Sequence, residues 1–185
     1  AKEVKRSPLP PFTTSTMQQA AFQRFRWSAK QTMMIAQQLY EGVEIGEEGP
    51  TGLITYMRTD SVNISAEALE AAKSKILSEF GKNYALDSAR VFKTKSKSAQ
   101  EAHEAVRPAD PARDPESLKK YLEPRQFKLY DLVWRRFMAS QMPEAIVVST
   151  SIDIKADKYT LRASGSQLKF DGFLRVYPLK MEEIL

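Results

Sequence analysis

The spacing of apolar residues along the chain changes character near residue 143. Before it the dominant period is helical; after it apolar and polar residues alternate. Residues 1–11 stand apart from both, because Pro8, Pro10 and Pro11 forbid a helix and leave an extended segment. Ser15 and Gln18, in S-x-x-Q register, predict a helix start, and Ser28 and Gln31 repeat the device. In the second of these helices Met33, Ala36, Leu39 and Tyr40 fall on one face, and Gly42 supplies the stop. The glycine-punctuated stretch with Glu44, Glu47 and Glu48 reads as a solvated loop that delivers the chain into a strand, "GLITYM".

Ser65 caps a further helix whose buried stripe is Leu69, Ala72, Ile76 and Phe80, ended by Gly81. "SAQEAHEAVRP" predicts another, opened by Ser98 and Glu101 and ended before Pro108. Asp114-Pro115 is an N-cap with proline at the first helical position. A long helix then carries Phe127, Tyr130, Trp134, Phe137 and Met138 on one side and stops at Pro143. Beyond it Ile146, Val148, Thr150, Ile152 and Ile154 alternate with mostly polar neighbours. "KYTLRAS" alternates too, Gly165-Ser166 predicts a turn, and "QLKF" and "GFLRVY" read as strands around Asp171-Gly172.

These elements predict a mainly α protein with a β portion. A helical domain, 12–142, is inserted into a partly present antiparallel β domain made of 1–11 and 143–185. Composition narrows the class. The chain has 185 residues, of which 42% are apolar, so it can bury a core. With no cysteine it has neither a disulfide framework nor a thiolate metal site. No apolar run approaches the roughly 20 residues that span a bilayer. The N-terminus lacks both methionine and the apolar core of a secretory signal, so the chain reads as a piece of something longer. The net charge of +5 reads most plainly as a mildly basic surface; the sharper reading is an anionic partner, most often nucleic acid, and charge alone does not select it.

Candidate chemistry centres on "GLITYMRTDS", 52–61. In an extended segment Tyr56 and Arg58 project to the same side. A phenol needs help to act as a nucleophile near neutral pH, and a guanidinium both favours phenolate and clamps phosphate. That pair suits attack on a phosphodiester; packing and surface hydrogen bonding are the plainer use of the same residues. Thr59, Asp60 and Ser61 serve equally as caps for the turn that follows. His103, the only histidine, has no second histidine or cysteine to share a metal with. Glu101 and Glu104 beside it favour imidazolium, and Arg107 lies one helical turn away, which together suggest phosphate contact. Asp153 and Asp157 read as solvent-facing. No G-x-S-x-G, Walker-type loop or HExxH occurs, and no acidic cluster offers Mg²⁺ an oxygen cage.

Five stretches, in order, resemble bacterial DNA topoisomerase I, a type IA family: "PFTTSTMQQAA" (11–21), "KQTMMIAQQLYEG" (30–42), "GLITYMRTDS" (52–61), "EAHEAVRP" (101–108) and "QLKFDGF" (167–173). The resemblance implies that Tyr56 attacks single-stranded DNA to leave a 5′-phosphotyrosine and a free 3′-hydroxyl. It makes Arg58 the residue that positions the scissile phosphate and His103 a neighbour of that phosphate. Thr59, Asp60, Ser61 and Arg107 become expected DNA contacts. Religation then needs no ATP, because the phosphotyrosine conserves the bond energy. The family's Mg²⁺ site lies in an N-terminal TOPRIM domain, so this chain is expected to bind no cofactor itself and to need that domain of the same polypeptide as its partner. The implied setting is a toroidal enzyme, cytoplasmic and nucleoid-associated, with this piece monomeric and no membrane contact. The competing expectation is a non-catalytic module that binds single-stranded nucleic acid.

Overall fold

The computed structural model describes residues 2–92 and 103–179. The proline-rich N-terminus is extended as expected, and its first residues form strand β1 (Lys2–Arg6). Helix α1 (Thr14–Phe25) starts earlier than Ser15 and Gln18 predict: Thr13 is the N-cap. The Thr13 hydroxyl accepts from the Thr16 amide at 3.3 Å, and the Thr16 hydroxyl accepts from the Thr13 amide at 2.9 Å. A run of four hydroxyl residues offers several possible caps, and the one that lets Met17, Ala20 and Ala21 face the core prevails. Helix α2 (Ala29–Glu41) begins at Ser28, whose hydroxyl accepts from the Gln31 amide, and ends at Gly42 with φ 130°. It buries Thr32, Ile35, Ala36 and Leu39, with Met33 packed at the edge of the core. Tyr40, expected inside, is 40% exposed.

The acidic loop folds as a small hairpin, β2 (Val43–Glu44) with β3 (Pro50–Thr51). "GLITYM" is not a regular strand. It is extended backbone with a single bridge, Ile54 to Pro108. Helix α3 (Ala66–Phe80) is capped by Ser65, buries Ala68, Ala72 and Ile76, and stops at Gly81. The capping pair Ser98 and Glu101 lies outside the described residues. What is described of that expected helix, 103–107, is extended rather than helical. Its Val106 bridges Phe12, its Ala105 amide donates to the Asn63 carbonyl, and both side chains are fully buried. Pro108 already biases Arg107 away from helix, and tertiary pairing decides the rest.

Helix α4 (Pro115–Leu118) is a single turn on the Asp114 cap, and α5 (Pro124–Ser140) is the central helix. Leu129, Tyr130, Val133, Phe137 and Met138 of α5 are fully buried in a core shared with α1, α2 and the segment after the sheet. Inside that core Arg136 donates from Nε to the Pro10 carbonyl at 2.7 Å. Its guanidinium lies 4.7 Å from the Phe12 ring centroid and 5.4 Å from that of Tyr177.

Strands β4 (Ala145–Ala156) and β5 (Tyr159–Phe170) form one long antiparallel ribbon, with β1 on the other side of β4. The reversal falls at Asp157-Lys158, where Asp157 takes φ 54°, and not at Gly165-Ser166. Gly165 instead pairs with Thr150 inside the ribbon. Ala145 and Val147 are buried against the helices, whereas Ile152, Ile154, Tyr159 and Leu161 are each at least half exposed. "GFLRVY" is also not a strand: Gly172–Arg175 is a 3₁₀ turn. Gly172, at φ 49°, crosses the Pro143–Glu144 backbone so closely that a Cβ would lie 2.5 Å from the Glu144 carbonyl oxygen. Only glycine fits there, and the turn seats Phe173 and Tyr177 in the core.

Candidate active site

Segment 52–61 is fixed by partners far away in sequence. At its start Gly52 passes so close to the end of α2 that a Cβ would lie 2.8 Å from the Tyr40 carbonyl oxygen. The Leu53 amide donates to the Leu39 carbonyl at 2.8 Å, and the Leu53 carbonyl accepts from the Ala109 amide at 2.8 Å. Around Thr55 the 103–109 segment closes the other side. The Thr55 amide donates to the Arg107 carbonyl at 2.9 Å, and the Thr55 hydroxyl donates to the Ala105 carbonyl at 2.7 Å. Past Tyr56, the Thr14 hydroxyl at the head of α1 donates to the Met57 carbonyl at 2.6 Å and accepts from the Thr59 amide at 2.9 Å. The Thr14 amide returns a bond to the Thr59 carbonyl at 2.9 Å. Tyr56 thus sits between hydrogen-bonded residues on both sides, which limits its backbone freedom without placing it in a sheet.

Exposure along the segment still has period two. Met57, Thr59 and Ser61 are buried, and Tyr56, Arg58 and Asp60 are exposed. Met57, fully buried, anchors the stretch while Tyr56 keeps 40% of its surface in solvent. The Tyr56 ring is walled by two others. Tyr40 meets it edge-on with centroids 5.3 Å apart, and His103 lies at 6.5 Å. An accessible phenol held between aromatic walls, with a guanidinium two residues on, is an arrangement able to present a hydroxyl to a phosphodiester.

The structure leaves Tyr56, Arg58 and Asp60 exposed, with His103 against the Tyr56 ring, and draws the other expected DNA contacts inward. Thr59 and Ser61 are buried turn-builders: the Thr59 hydroxyl accepts from the Ser61 amide at 3.0 Å, and the Ser61 hydroxyl accepts from the Asn63 amide at 3.1 Å. Their capping use is the one observed. Arg107 is not one helical turn from His103, since that stretch is extended. Its side chain, 11% exposed, pairs with Glu104 and donates to the Pro108 carbonyl at 2.9 Å and the Ser65 hydroxyl at 3.4 Å. Glu104, expected to act on the imidazole, is engaged by this guanidinium. Tyr40 and Thr14 were not singled out by sequence. Tyr40 has the spacing of a core residue, and Thr14 reads as one of several caps; only the fold puts them beside residues 56–59. Among the described residues no group of three or more His, Cys, Asp or Glu side chains could hold a metal ion.

Comparison with known proteins places the chain in a lineage. The family model described as DNA topoisomerase matches residues 1–184. DNA topoisomerase 1 of Xylella fastidiosa is 50% identical over 177 residues, covering 95% of this chain and 22% of that protein. The Helicobacter pylori protein of the same name is 49% identical over 176 residues, covering 95% of this chain and 24% of its own length. The solved structure of full-length topoisomerase I from Thermotoga maritima superposes with a TM-score of 0.84 at 39% identity, over 97% of this chain and 28% of that one. The chain thus spans about a quarter or less of the curated relatives named here. Matched over nearly its whole length by sequence and by fold, this chain belongs to the bacterial DNA topoisomerase I family of type IA.

Proposed function

We propose that this chain supplies the nucleophile of a type IA DNA topoisomerase. The Tyr56 oxygen attacks a phosphorus in single-stranded DNA: the Tyr56 O–P bond forms, the P–O3′ bond breaks, and the phenolic proton's equivalent ends on the 3′-hydroxyl. The 5′-phosphotyrosine keeps a phosphate ester in place of the one broken, so reversal reseals the strand without ATP. The observation that carries this reading is the tethering of Tyr56: residues on both sides are hydrogen-bonded to distant backbone while the phenol is 40% exposed. A positioned nucleophile avoids much of the entropic cost of reaction. Arg58, exposed beside it, holds the scissile phosphate, and His103 contacts the same group.

In this reading residues 12–142 are the tyrosine-bearing domain. Residues 1–11 and 143–185 belong to a β-rich gate domain of a toroid, including part of the hinge by which the tyrosine domain moves away and returns. The pairing of β1 with β4, from opposite ends of the helical region, supports an inserted domain. The half-exposed apolar residues of the β4–β5 ribbon fit a sheet that continues into further chain. Mg²⁺ is held by a TOPRIM domain of the same polypeptide, and the piece works as a monomer within a cytoplasmic, nucleoid-associated enzyme. Among the described residues no helix is long and apolar enough to cross a membrane.

The test is supercoil relaxation by this chain alone and by a polypeptide joining it to the TOPRIM domain. The expected result is relaxation by the joined form only, abolished by Tyr56→Phe. Relaxation by the isolated chain, or relaxation indifferent to Tyr56→Phe, contradicts the proposal. DNA binding without any activity in the joined form would favour the non-catalytic module.

A further inference from the structure

Between Glu3 and Glu41 the chain has no acidic residue, yet it has Lys5, Arg6, Arg24, Arg26 and Lys30. Most of that stretch is α1 and α2, so the fold gathers an acid-free run of chain onto neighbouring helices. On α1 the outward positions Ser15, Gln19, Phe22 and Arg26 are spaced four, three and four apart, a continuous helical stripe, and all four are exposed. Phe22 is 53% exposed, an unusual residue for a solvated helix face. The Arg26 guanidinium lies 5.5 Å from its ring centroid.

Arg26 is also conformationally unusual. It ends α1 in the left-handed region at φ 60°, a place where glycine is the ordinary choice, with its amide donating to the Phe22 carbonyl at 2.8 Å. A bulky residue held there points to a use for its side chain. Close by, Arg24 stacks 4.4 Å from the Tyr177 ring centroid, and Lys128 of α5 lies 5.9 Å from that of Phe25. Cations interleaved with aromatic rings on and beside this acid-free run of chain match the phosphates and unpaired bases of a single strand. A duplex keeps its base faces stacked, so an exposed phenyl ring offers it little.

We propose that the Ser15–Gln19–Phe22–Arg26 stripe of α1 is a binding track for single-stranded DNA, with Phe22 stacking a base and Arg26 holding a phosphate. By helical rise it extends about 17 Å from the head of α1. That head is bonded directly to the Tyr56 segment through Thr14, Met57 and Thr59. The inference rests on the DNA-acting reading above but not on Tyr56 being the nucleophile.

The experiment measures binding of a labelled oligothymidylate to the full 185-residue chain across a salt series, with a duplex of equal length as control. Phe22→Ala is expected to weaken single-strand binding roughly fivefold or more, the loss of one stacked base. Arg26→Gly removes the charge while suiting the left-handed backbone, so it leaves the fold intact. It is expected to lower the slope of log K against log salt by about 0.7, one single-strand phosphate contact. Leu77→Ala, at an exposed apolar residue of α3 outside the stripe, is expected to leave this binding unchanged, which separates the track from apolar exposure in general. No measurable binding by the parent chain overturns the proposal. So do Phe22→Ala and Arg26→Gly variants within twofold of it at every salt, and duplex binding as tight as single-strand binding.

Discussion

Replacing Gly52 with alanine would put a Cβ 2.8 Å from the Tyr40 carbonyl oxygen, at the point where the Tyr56 segment leaves α2. Gly52 has no positive φ in the way of a side chain, so the effect is one of space alone. Real Cβ atoms do not approach a carbonyl this closely, and the obstacle is backbone rather than the end of a flexible side chain. Forcing an extra methyl into such a contact costs about 1–3 kcal/mol. Against it stands the reduced freedom of the unfolded chain, which favours alanine by about 0.4–1 kcal/mol. The crowding wins, leaving a net loss of about 1–2 kcal/mol and a melting temperature lower by about 2–8 °C for a domain of this size. The displacement acts on the bond between the Leu53 amide and the Leu39 carbonyl and on the 5.3 Å contact between Tyr40 and Tyr56. Urea and thermal melts measure the first effect. Formation of the Tyr56 adduct in the joined polypeptide measures the second and is expected to fall more than oligonucleotide binding does. A Gly52→Ala chain as stable as the parent, or more stable, would refute the reasoning, because the entropic gain would then be unopposed.

Three further expectations follow from the same structure. Tyr40→Ala removes the edge contact on the Tyr56 ring, worth about 0.5–1.5 kcal/mol; adduct formation should slow about two- to tenfold with oligonucleotide affinity unchanged, and Tyr40→Phe should restore it. Arg136→Ala deletes a buried charge-assisted bond to Pro10 and the stacking on Phe12 and Tyr177, and should cost about 3–5 kcal/mol in a urea melt. The third concerns alkaline pH. Burial, with the nearby Asp110 carboxylate adding to it, pushes the Tyr130 hydroxyl above the ordinary tyrosine range. Tyr84 is raised by its hydrogen bond to Asp171. Folded protein therefore holds these protons more tightly than the unfolded chain, whose tyrosines titrate near pH ~10. The stability they contribute is complete below that pH and is lost as pH rises above it. Melts across the alkaline range should show the decline, and Tyr130→Phe should make it shallower.

The helices were legible wherever a single cap and a single stop bracketed an apolar face, as Ser28 and Gly42 bracket α2 and Ser65 and Gly81 bracket α3. Where several caps competed, at Thr13 to Thr16, packing of Met17 and Ala20 chose among them. The segment 103–107 has a helix-like composition, but its backbone is paired with Phe12, Asn63 and Thr55, partners that spacing along the chain does not reveal. In the ribbon, glycine at 165 looked like the turn, yet aspartate also tolerates the left-handed region, and Asp157 makes the reversal. The density of chemistry at residues 56–61 was visible from sequence, but the alternation that buries Thr59 and Ser61 was not. Which of those residues face solvent depended on register against Thr14. The tyrosine wall at residue 40 is set by contacts made sixteen residues away, where helix α2 and the Tyr56 segment meet, and no local pattern encodes it.

The most direct test of the central claim is covalent trapping. The polypeptide joining this chain to the TOPRIM domain would be incubated with labelled single-stranded DNA and Mg²⁺, denatured, digested and mapped by mass spectrometry. A nucleotide remnant on Tyr56, absent from the Tyr56→Phe protein, is the predicted result. Cleaved DNA attached to another residue, or DNA bound and released with Tyr56 unmodified, would contradict it.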